Sequence, residues 1–144
     1  MVTELDRIFL NHVPSIYKIV LALTNNIFWF KVTIVKIQFY QTSSGRSPVE
    51  EFLKHCSESI QSDFVDALSL LSQGMKLQMP LNRPLSSIYS GLHELRFKDR
   101  SGQVRFFYFI KKNEAIYFVH AFQKKTQELP KKEIDLILKR IKEV

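Results

Sequence analysis

The clearest pattern of hydrophobic and polar positions lies in the second half of the chain, where apolar and polar residues alternate. A period of two is typical of a β-strand with one buried and one exposed face. The polar segments Asp99–Gly102 and Lys111–Asn113 indicate turns between successive strands. Three consecutive strands are therefore predicted, at Leu92–Lys98, Gln103–Ile110 and Glu114–Phe122.

The first of these strands separates apolar from charged side chains. Leu95 and Phe97 share one face, and Arg96 with Lys98 shares the other. One face can then pack in a core while the other presents positive charge. Arg105 interrupts the otherwise apolar second strand. The pattern predicts several cations on one side of a small sheet.

A helical period of hydrophobic positions predicts three helices. Ser47–Glu50 forms a capping box with Pro48 at the first helical position, which marks a helix start. The helical pattern restarts around Glu58 and stops at Gly74, a residue that commonly ends helices. The last helix is predicted from near Pro130 to the end of the chain.

The remaining elements complete an α+β fold. The β-branched and aromatic run Thr33–Tyr40 predicts a first strand, and Met79–Ser90, with two prolines, predicts a connecting loop. The predicted order is β-α-α-β-β-β-α, a small antiparallel β-sheet with an N-terminal helical hairpin and a C-terminal helix packed on one face. Residues 33–144 are predicted to form the domain and residues 1–32 an N-terminal extension of uncertain status.

The extension at residues 1–32 contains two apolar runs, 16–23 and 27–30. Polar residues interrupt them, and no run approaches the ~20 apolar residues of a membrane span. The start also lacks the basic region of a signal peptide. Two interpretations stay open for this segment: an amphipathic extension that packs on the domain, and a segment that lies on a membrane surface.

The net charge of +7 is unevenly distributed. Residues 1–73 contain 6 Lys and Arg against 7 Asp and Glu, whereas residues 74–144 contain 15 against 7. The whole basic excess lies in the half that contains the predicted sheet. Such asymmetry favours a nucleic acid or an acidic protein as the partner. The alternative is a charged surface that only keeps the protein soluble.

The cysteines and histidines indicate neither a metal nor a cofactor. Cys56 is the single cysteine, so no intramolecular disulfide can form, which favours a reducing compartment such as the cytoplasm. The four histidines, His12, His55, His93 and His120, lack the spacing of metal ligands. The chain also lacks a glycine-rich nucleotide-binding motif.

Three segments in a fixed order carry a family resemblance, and two shorter segments support it. They are Gly91–Arg96, Gly102–Tyr108 and His120–Thr126, supported by Ser47–Leu53 and Glu133–Ile134. Together they resemble the RelE/ParE toxin superfamily, in particular its phage-derived HigB-like branch. The resemblance covers roughly residues 34–144 and leaves out the N-terminal extension.

The resemblance implies the toxin of a type II toxin–antitoxin system. RelE-like and HigB-like members cleave mRNA on the ribosome, and a helix-turn-helix antitoxin neutralises them. The implied partners are therefore mRNA, the ribosome and this antitoxin, with no membrane and no small-molecule cofactor. ParE-like members share the fold but inhibit DNA gyrase, which is the alternative function. A non-catalytic homologue that only binds its antitoxin is a further alternative.

The resemblance also implies catalytic residues. Arg96 resembles a basic position in the sheet of RelE, and Arg105 resembles the arginine of RelE that stabilises the phosphate. Lys124 resembles a positively charged residue that comes later in the RelE sequence. Arginine binds phosphate through two parallel hydrogen bonds, whereas lysine keeps only the charge. RelE has a catalytic tyrosine near the final helix, but this chain has no tyrosine after Tyr117, which leaves the acid and base open. His120 is a candidate for such a role because it titrates near neutrality, or it is a core residue.

Four further residues are predicted to contact RNA. Lys98, Arg100 and Lys125 extend the positive charge, and Tyr108 either stacks on a base or has a structural role. Glu94 is either a base or the partner of an adjacent cation.

Overall fold

The computed structural model describes residues 35–111 and 115–144 as an α+β domain. The predictions for residues 1–32 lie outside the described residues. Within these described residues, five strands and three helices follow one another in the order β-α-α-β-β-β-β-α. They are β1 Lys36–Phe39, α1 Pro48–Lys54, α2 Glu58–Ser72, β2 Asn82–Pro84, β3 Leu92–Asp99, β4 Gly102–Lys111, β5 Ala115–Lys124 and α3 Lys131–Glu143.

The strands form one mixed sheet in the order β1-β5-β4-β3-β2. The prediction of a purely antiparallel sheet was wrong, because β1 runs parallel to β5. The predicted element order was also one strand short, because Asn82–Pro84 pairs with β3 inside the segment interpreted as a loop. A proline is tolerated in this strand because β2 lies at the edge of the sheet.

Helix α1 begins, and helix α2 begins and ends, where the sequence predicted. Ser47 accepts a hydrogen bond from the backbone of Glu50, and Ser57 caps α2 in the same way. After α2, Gly74 adopts a positive φ of 77°, a conformation that favours glycine. The two helices cover the first face of the sheet. There the ring centroids of the buried residues Phe64 and Phe106 lie 4.4 Å apart.

Helix α3 packs on the second face of the sheet, so the prediction that all helices share one face was wrong. Ile137 and Ile141 of α3 contact a separate buried cluster that includes Phe107 and Phe109 of β4. Strand β4 is buried continuously from Val104 to Phe109, as expected of a strand with both faces covered.

A β-bulge interrupts the pairing of β4 with β5. Phe107 pairs with His120, but the next residue, Tyr108, pairs with Phe118. Val119 is therefore the extra residue of β5. Bulges of this kind redirect the side chains that follow them.

The bulge shifts the alternation of β5 by one residue, so that each side chain after it lies on the opposite face from the one that strict alternation would give. Beyond it, Ala121 packs in the first core and Phe122 in the second. Phe122 pairs directly with Arg105, and Lys124 lies two residues further along the same face. Strict alternation from Phe118 would have turned Lys124 towards α1 and α2. The bulge thus brings Lys124 to the side of the sheet that carries Arg105.

Candidate functional site

Helix α3 covers only part of the second face, and the remaining part carries positive charge from four neighbouring strands. β2 contributes Arg83, β3 contributes Arg96, β4 contributes Arg105 and β5 contributes Lys124. These residues, together with the buried Glu94, are called the basic cluster below. The strand register places them on one face, because Arg83 pairs with Glu94 and Arg96 pairs with Arg105.

Glu94 lies at the centre of the basic cluster and is only 1% exposed. Its Oε1 atom lies 2.7 Å from Nη1 of Arg105. Its Oε2 atom accepts hydrogen bonds from Nε and Nη2 of Arg96, at 3.0 Å and 2.9 Å. One carboxylate therefore holds two guanidinium groups in place. This arrangement matches the structural alternative for Glu94, the partner of adjacent cations.

The hydrogen bonds of the basic cluster are incomplete. Arg105 is 5% exposed, and its buried Nε has no hydrogen-bond partner among the described residues. Glu94 Oε1 pairs electrostatically with Arg105 but also lacks a well-aligned hydrogen bond. A buried charged donor without an acceptor is unfavourable unless a ligand supplies one. The unpaired Nε of Arg105 therefore favours an anionic ligand at this position.

Positive charge exceeds negative charge in the basic cluster. Burial lowers the pKa of Arg105, Glu94 opposes this shift, and the charges of Arg96 and Arg83 add to it. Partial desolvation lowers the pKa of Lys124, and the same three arginines lower it further. Mutual repulsion of this kind agrees with the residue types of the cluster, four cations against one carboxylate. The cluster is thus suited to a polyanion.

Two aromatic rings border the basic cluster. Phe107 and Phe122 stack with their ring centroids 5.6 Å apart and their planes 2° apart. Phe122 is half-buried and pairs across the strands with Arg105. An apolar ring beside a guanidinium group provides a surface on which a nucleic-acid base can stack.

His120 lies next to this site but is enclosed between the sheet and α3. Its Nε2 lies 2.6 Å from Oε2 of Glu133, and its Nδ1 lies 3.0 Å from Nη1 of Arg140. Because arginine can only donate, Nδ1 accepts and Nε2 carries the proton. Burial lowers the pKa of His120, Glu133 opposes the shift and Arg140 adds to it. These three residues, called the docking cluster below, attach α3 to the sheet.

The docking cluster continues towards β1. Arg140 also donates to the backbone carbonyl of Val119 at 2.8 Å, and its guanidinium lies 5.1 Å from the ring centroid of Tyr40. The hydroxyl of Tyr40 donates to Glu143. Both nitrogens of the His120 ring are therefore occupied by the protein itself, which fits a structural position.

The residues predicted to contact RNA fall in different places. Lys98 is exposed on the same face of β3 as Arg96, Arg100 is exposed in the turn after β3, and Lys125 is exposed directly after β5. Tyr108 is 2% exposed and lies in the first core, on the opposite face of the sheet.

A buried hydrogen bond explains the position of Tyr108. Its hydroxyl donates to Oδ1 of Asn82 at 2.9 Å, and its ring stacks on that of His93. No face of the Tyr108 ring is open to a base, so its predicted contact with RNA was wrong. Its structural alternative agrees with the geometry.

Two members of the site were missed by the sequence interpretation. Arg83 lay in the segment interpreted as a loop. Phe122 follows the bulge in β5, which places its side chain on the opposite face from the one that strict alternation predicts. The signal for Arg83 was weak, because β2 is only three residues long and contains a proline. Within residues 35–111 and 115–144, no group of His, Cys, Asp and Glu side chains has the arrangement of a metal site.

The fold and the basic cluster define a small α+β protein with a positively charged surface. Residues 51–142, which include all of the basic cluster, match the family described as phage derived protein Gp49-like (DUF891), and the chain belongs to this family. It is a RelE/HigB-like toxin family of toxin–antitoxin systems, which implies an antitoxin partner. A comparison with curated proteins found no match. In the described part of the chain, no helix is long and apolar enough to cross a lipid bilayer.

Proposed function

We propose that the chain is a toxin of the HigB-like branch that cleaves mRNA on the ribosome and so inhibits translation. The observation that carries the proposal is the basic cluster, in which the buried Nε of Arg105 lacks an acceptor. A phosphodiester would supply both the negative charge and the oxygen atoms that this cluster lacks. Because ribosomes are the site of action, the proposal implies a cytoplasmic protein.

The proposed reaction uses a nucleophile that belongs to the RNA. The ribose 2′-oxygen attacks the adjacent phosphorus, a bond to phosphorus forms, and the bond from phosphorus to the 5′-oxygen breaks. The attacking hydroxyl loses a proton, and the leaving oxygen gains one. The products are a 2′,3′-cyclic phosphate and a free 5′-hydroxyl. Negative charge accumulates on the phosphate oxygens in the transition state, which preorganised cations can stabilise.

The basic cluster suggests a division of roles. Arg105 would stabilise the negative charge of the scissile phosphate from within the cluster, since its ion pair with Glu94 fixes the guanidinium plane. Arg96 would bind the same phosphate from the neighbouring strand. Lys124 would add positive charge from β5, and Lys98 would extend the positive electrostatic potential along β3. Glu94 would be the positioning residue that orients both arginines.

His120 has a structural role in this proposal. Both of its ring nitrogens are engaged within the docking cluster, and burial favours the neutral ring. A proton transfer to RNA would require His120 to give up its contact with Glu133. We therefore place His120 among the residues that hold α3 beside the basic cluster.

The antitoxin partner follows from the same charges. A helix-turn-helix antitoxin with an acidic segment would neutralise the toxin by covering the basic cluster. Co-expression of this chain with the protein encoded next to it should give a complex that purifies intact. Toxicity should return when the antitoxin is removed.

Induced expression in bacterial cells tests the function. The proposal predicts growth arrest, with transcripts cut at positions that primer extension places within codons. Growth arrest with intact transcripts, a DNA damage response and altered plasmid supercoiling would instead support a gyrase inhibitor. Stable expression without growth arrest, but with antitoxin binding, would indicate a non-catalytic homologue.

A further inference from the structure

Arg83 lies at the edge of the basic cluster on a strand that buried contacts hold in place. The preceding residue, Asn82, is buried, donates to the carbonyl of Leu77 at 3.0 Å and accepts from Tyr108 at 2.9 Å. The backbone N–H of Arg96 donates to the carbonyl of Leu81 at 2.8 Å, which continues the pairing of the two strands. Strand β2 is therefore fixed, although it is only three residues long.

The side chain of Arg83 is available for a ligand. Arg83 is exposed, and no ion pair involves it in the described part of the chain. Its direct partner across the strands is Glu94, and paired residues of neighbouring strands project to the same face. Its charge lowers the pKa of both Arg105 and Lys124, which agrees with its position beside them.

The four cations cross the sheet rather than surround one point. Neighbouring strands lie ~4.8 Å apart, so the line from β2 to β5 spans about 14 Å over three intervals. Arg83 is separated from Arg105 by the whole of β3. A strand of RNA, which has a phosphate at every nucleotide, can follow such a line across the sheet.

We propose that Arg83 binds a backbone phosphate next to the scissile one, so that single-stranded RNA crosses the sheet from β5 to β2. This inference rests on the proposed function and adds a second phosphate subsite to it. Arg83 is a binding residue in this arrangement, because it lies away from the reacting atoms. Its loss should weaken binding of RNA and leave the chemical step unchanged.

Single-turnover cleavage on ribosomes programmed with a defined mRNA provides the test. Each phosphate around the cleavage site is replaced in turn by a neutral methylphosphonate, and the half-saturating protein concentration is measured. Arg83→Ala should raise this concentration about three- to tenfold, as expected for one exposed charged contact, at an unchanged maximal rate. Arg83→Lys should recover part of the loss.

The decisive measurement compares the wild type and Arg83→Ala on RNAs in which one phosphate has been neutralised. Neutralising one phosphate next to the scissile phosphate should weaken the wild type but have no further effect on Arg83→Ala. Arg46→Ala is the matched control, because Arg46 is exposed, pairs with Glu51 on α1 and lies outside the basic cluster. It should behave as the wild type on every RNA.

Two other results would overturn the inference. If Arg83→Ala lowers the maximal rate and the melting temperature without dependence on any one phosphate, Arg83 stabilises the site and binds no second phosphate. If the wild type leaves the mRNA on the ribosome intact, the proposed function fails and this inference fails with it.

Discussion

Two polar clusters lie on the same face of the sheet, and they differ in how far the protein satisfies them. In the docking cluster, both ring nitrogens of His120 have partners, Glu133 and Arg140. In the basic cluster, Glu94 holds two guanidinium groups, yet the buried Nε of Arg105 remains without an acceptor. Both clusters contain a glutamate and an arginine that are joined to buried polar groups, so residue types alone do not distinguish them.

The comparison shows how a structural cluster differs from a ligand site. Buried polar groups normally find partners within the protein, and the docking cluster follows this rule. The basic cluster departs from it and also contains four cations, of which only Arg96 and Arg105 pair with its single carboxylate. Excess charge and an unpaired donor are unfavourable for folding alone. Beside the exposed Arg83 and the partly exposed Arg96 and Lys124, they favour an anionic ligand.

Substitution of Arg105 should have the largest effect on activity. Arg105→Lys keeps a positive charge next to Glu94 but loses the planar guanidinium group with its parallel N–H donors and the unpaired Nε–H. We expect cleavage to fall about 10²–10³-fold, the loss commonly seen when a transition-state contact is removed. Single-turnover cleavage measures this effect, and antitoxin binding should be retained. Full activity in a folded variant would contradict the assignment.

The two clusters can be compared through their carboxylates. Glu94→Gln leaves two guanidinium groups without a counter-charge, so it should lower both the free energy of unfolding, by about 1–3 kcal/mol, and cleavage. Glu133→Gln should also lower the free energy of unfolding but leave cleavage unchanged at temperatures where the variant stays folded. Denaturant titration and cleavage assays distinguish the two. Equal loss of activity in both variants would remove the distinction between the clusters.

Lys124 should set an alkaline limit on activity. Desolvation and the neighbouring arginines lower its pKa from 10.5, so the ammonium loses its proton earlier than in an ordinary lysine. Cleavage should fall as the pH rises through this lowered pKa. Lys124→Arg should move the fall to higher pH, because arginine stays protonated. An unchanged alkaline limb in the pH–rate profile would show that another group is responsible.

His120 should make stability depend on pH on the acid side. Its folded-state pKa lies below the ordinary value of 6.5, so below pH 6.5 the unfolded chain binds more protons. The free energy of unfolding should therefore decrease as the pH falls from 6.5 towards the lower folded-state pKa. Burial lowers the pKa of His93 too, which adds a contribution of the same sign. His120→Gln should reduce the slope measured by denaturant titration, and an identical slope would contradict the docking role.

A charge outside both clusters should matter least. Lys139 is exposed on α3, and single exposed charges contribute weakly to stability and binding. Lys139→Ala should therefore change neither the melting temperature nor the cleavage rate measurably. A large loss of cleavage would show that the RNA path extends over α3 and that the basic cluster is only part of the site.

Local signals in the sequence predicted much of the fold. The start of α1 followed from Ser47 and the end of α2 from Gly74, because caps depend on nearby residues. Strands β3, β4 and β5 were predicted within two residues of their observed ends, because alternation and turns are also local. The parallel pairing of β1, the short β2 and the second-face position of α3 depend on long-range contacts, which the local pattern does not contain.

The candidate site was predictable to a similar extent. Arg96, Arg105 and Lys124 lie on one side of the sheet, as the pattern of cations predicted, although the position of Lys124 depends on a bulge that no local pattern revealed. Tyr108 was placed wrongly because β4 is apolar on both faces, so alternation gives no information about its side. Arg83 was missed because its strand could not be recognised.

The central claim is that the basic cluster binds the scissile phosphate of mRNA. The most direct measurement is cleavage of mRNA on programmed ribosomes by the purified wild type and by Arg105→Lys, mapped by primer extension. The account predicts a cut within a codon by the wild type and a rate at least about 10²-fold lower for the folded variant. Intact mRNA with the wild type, or equal cleavage by both proteins, would contradict it.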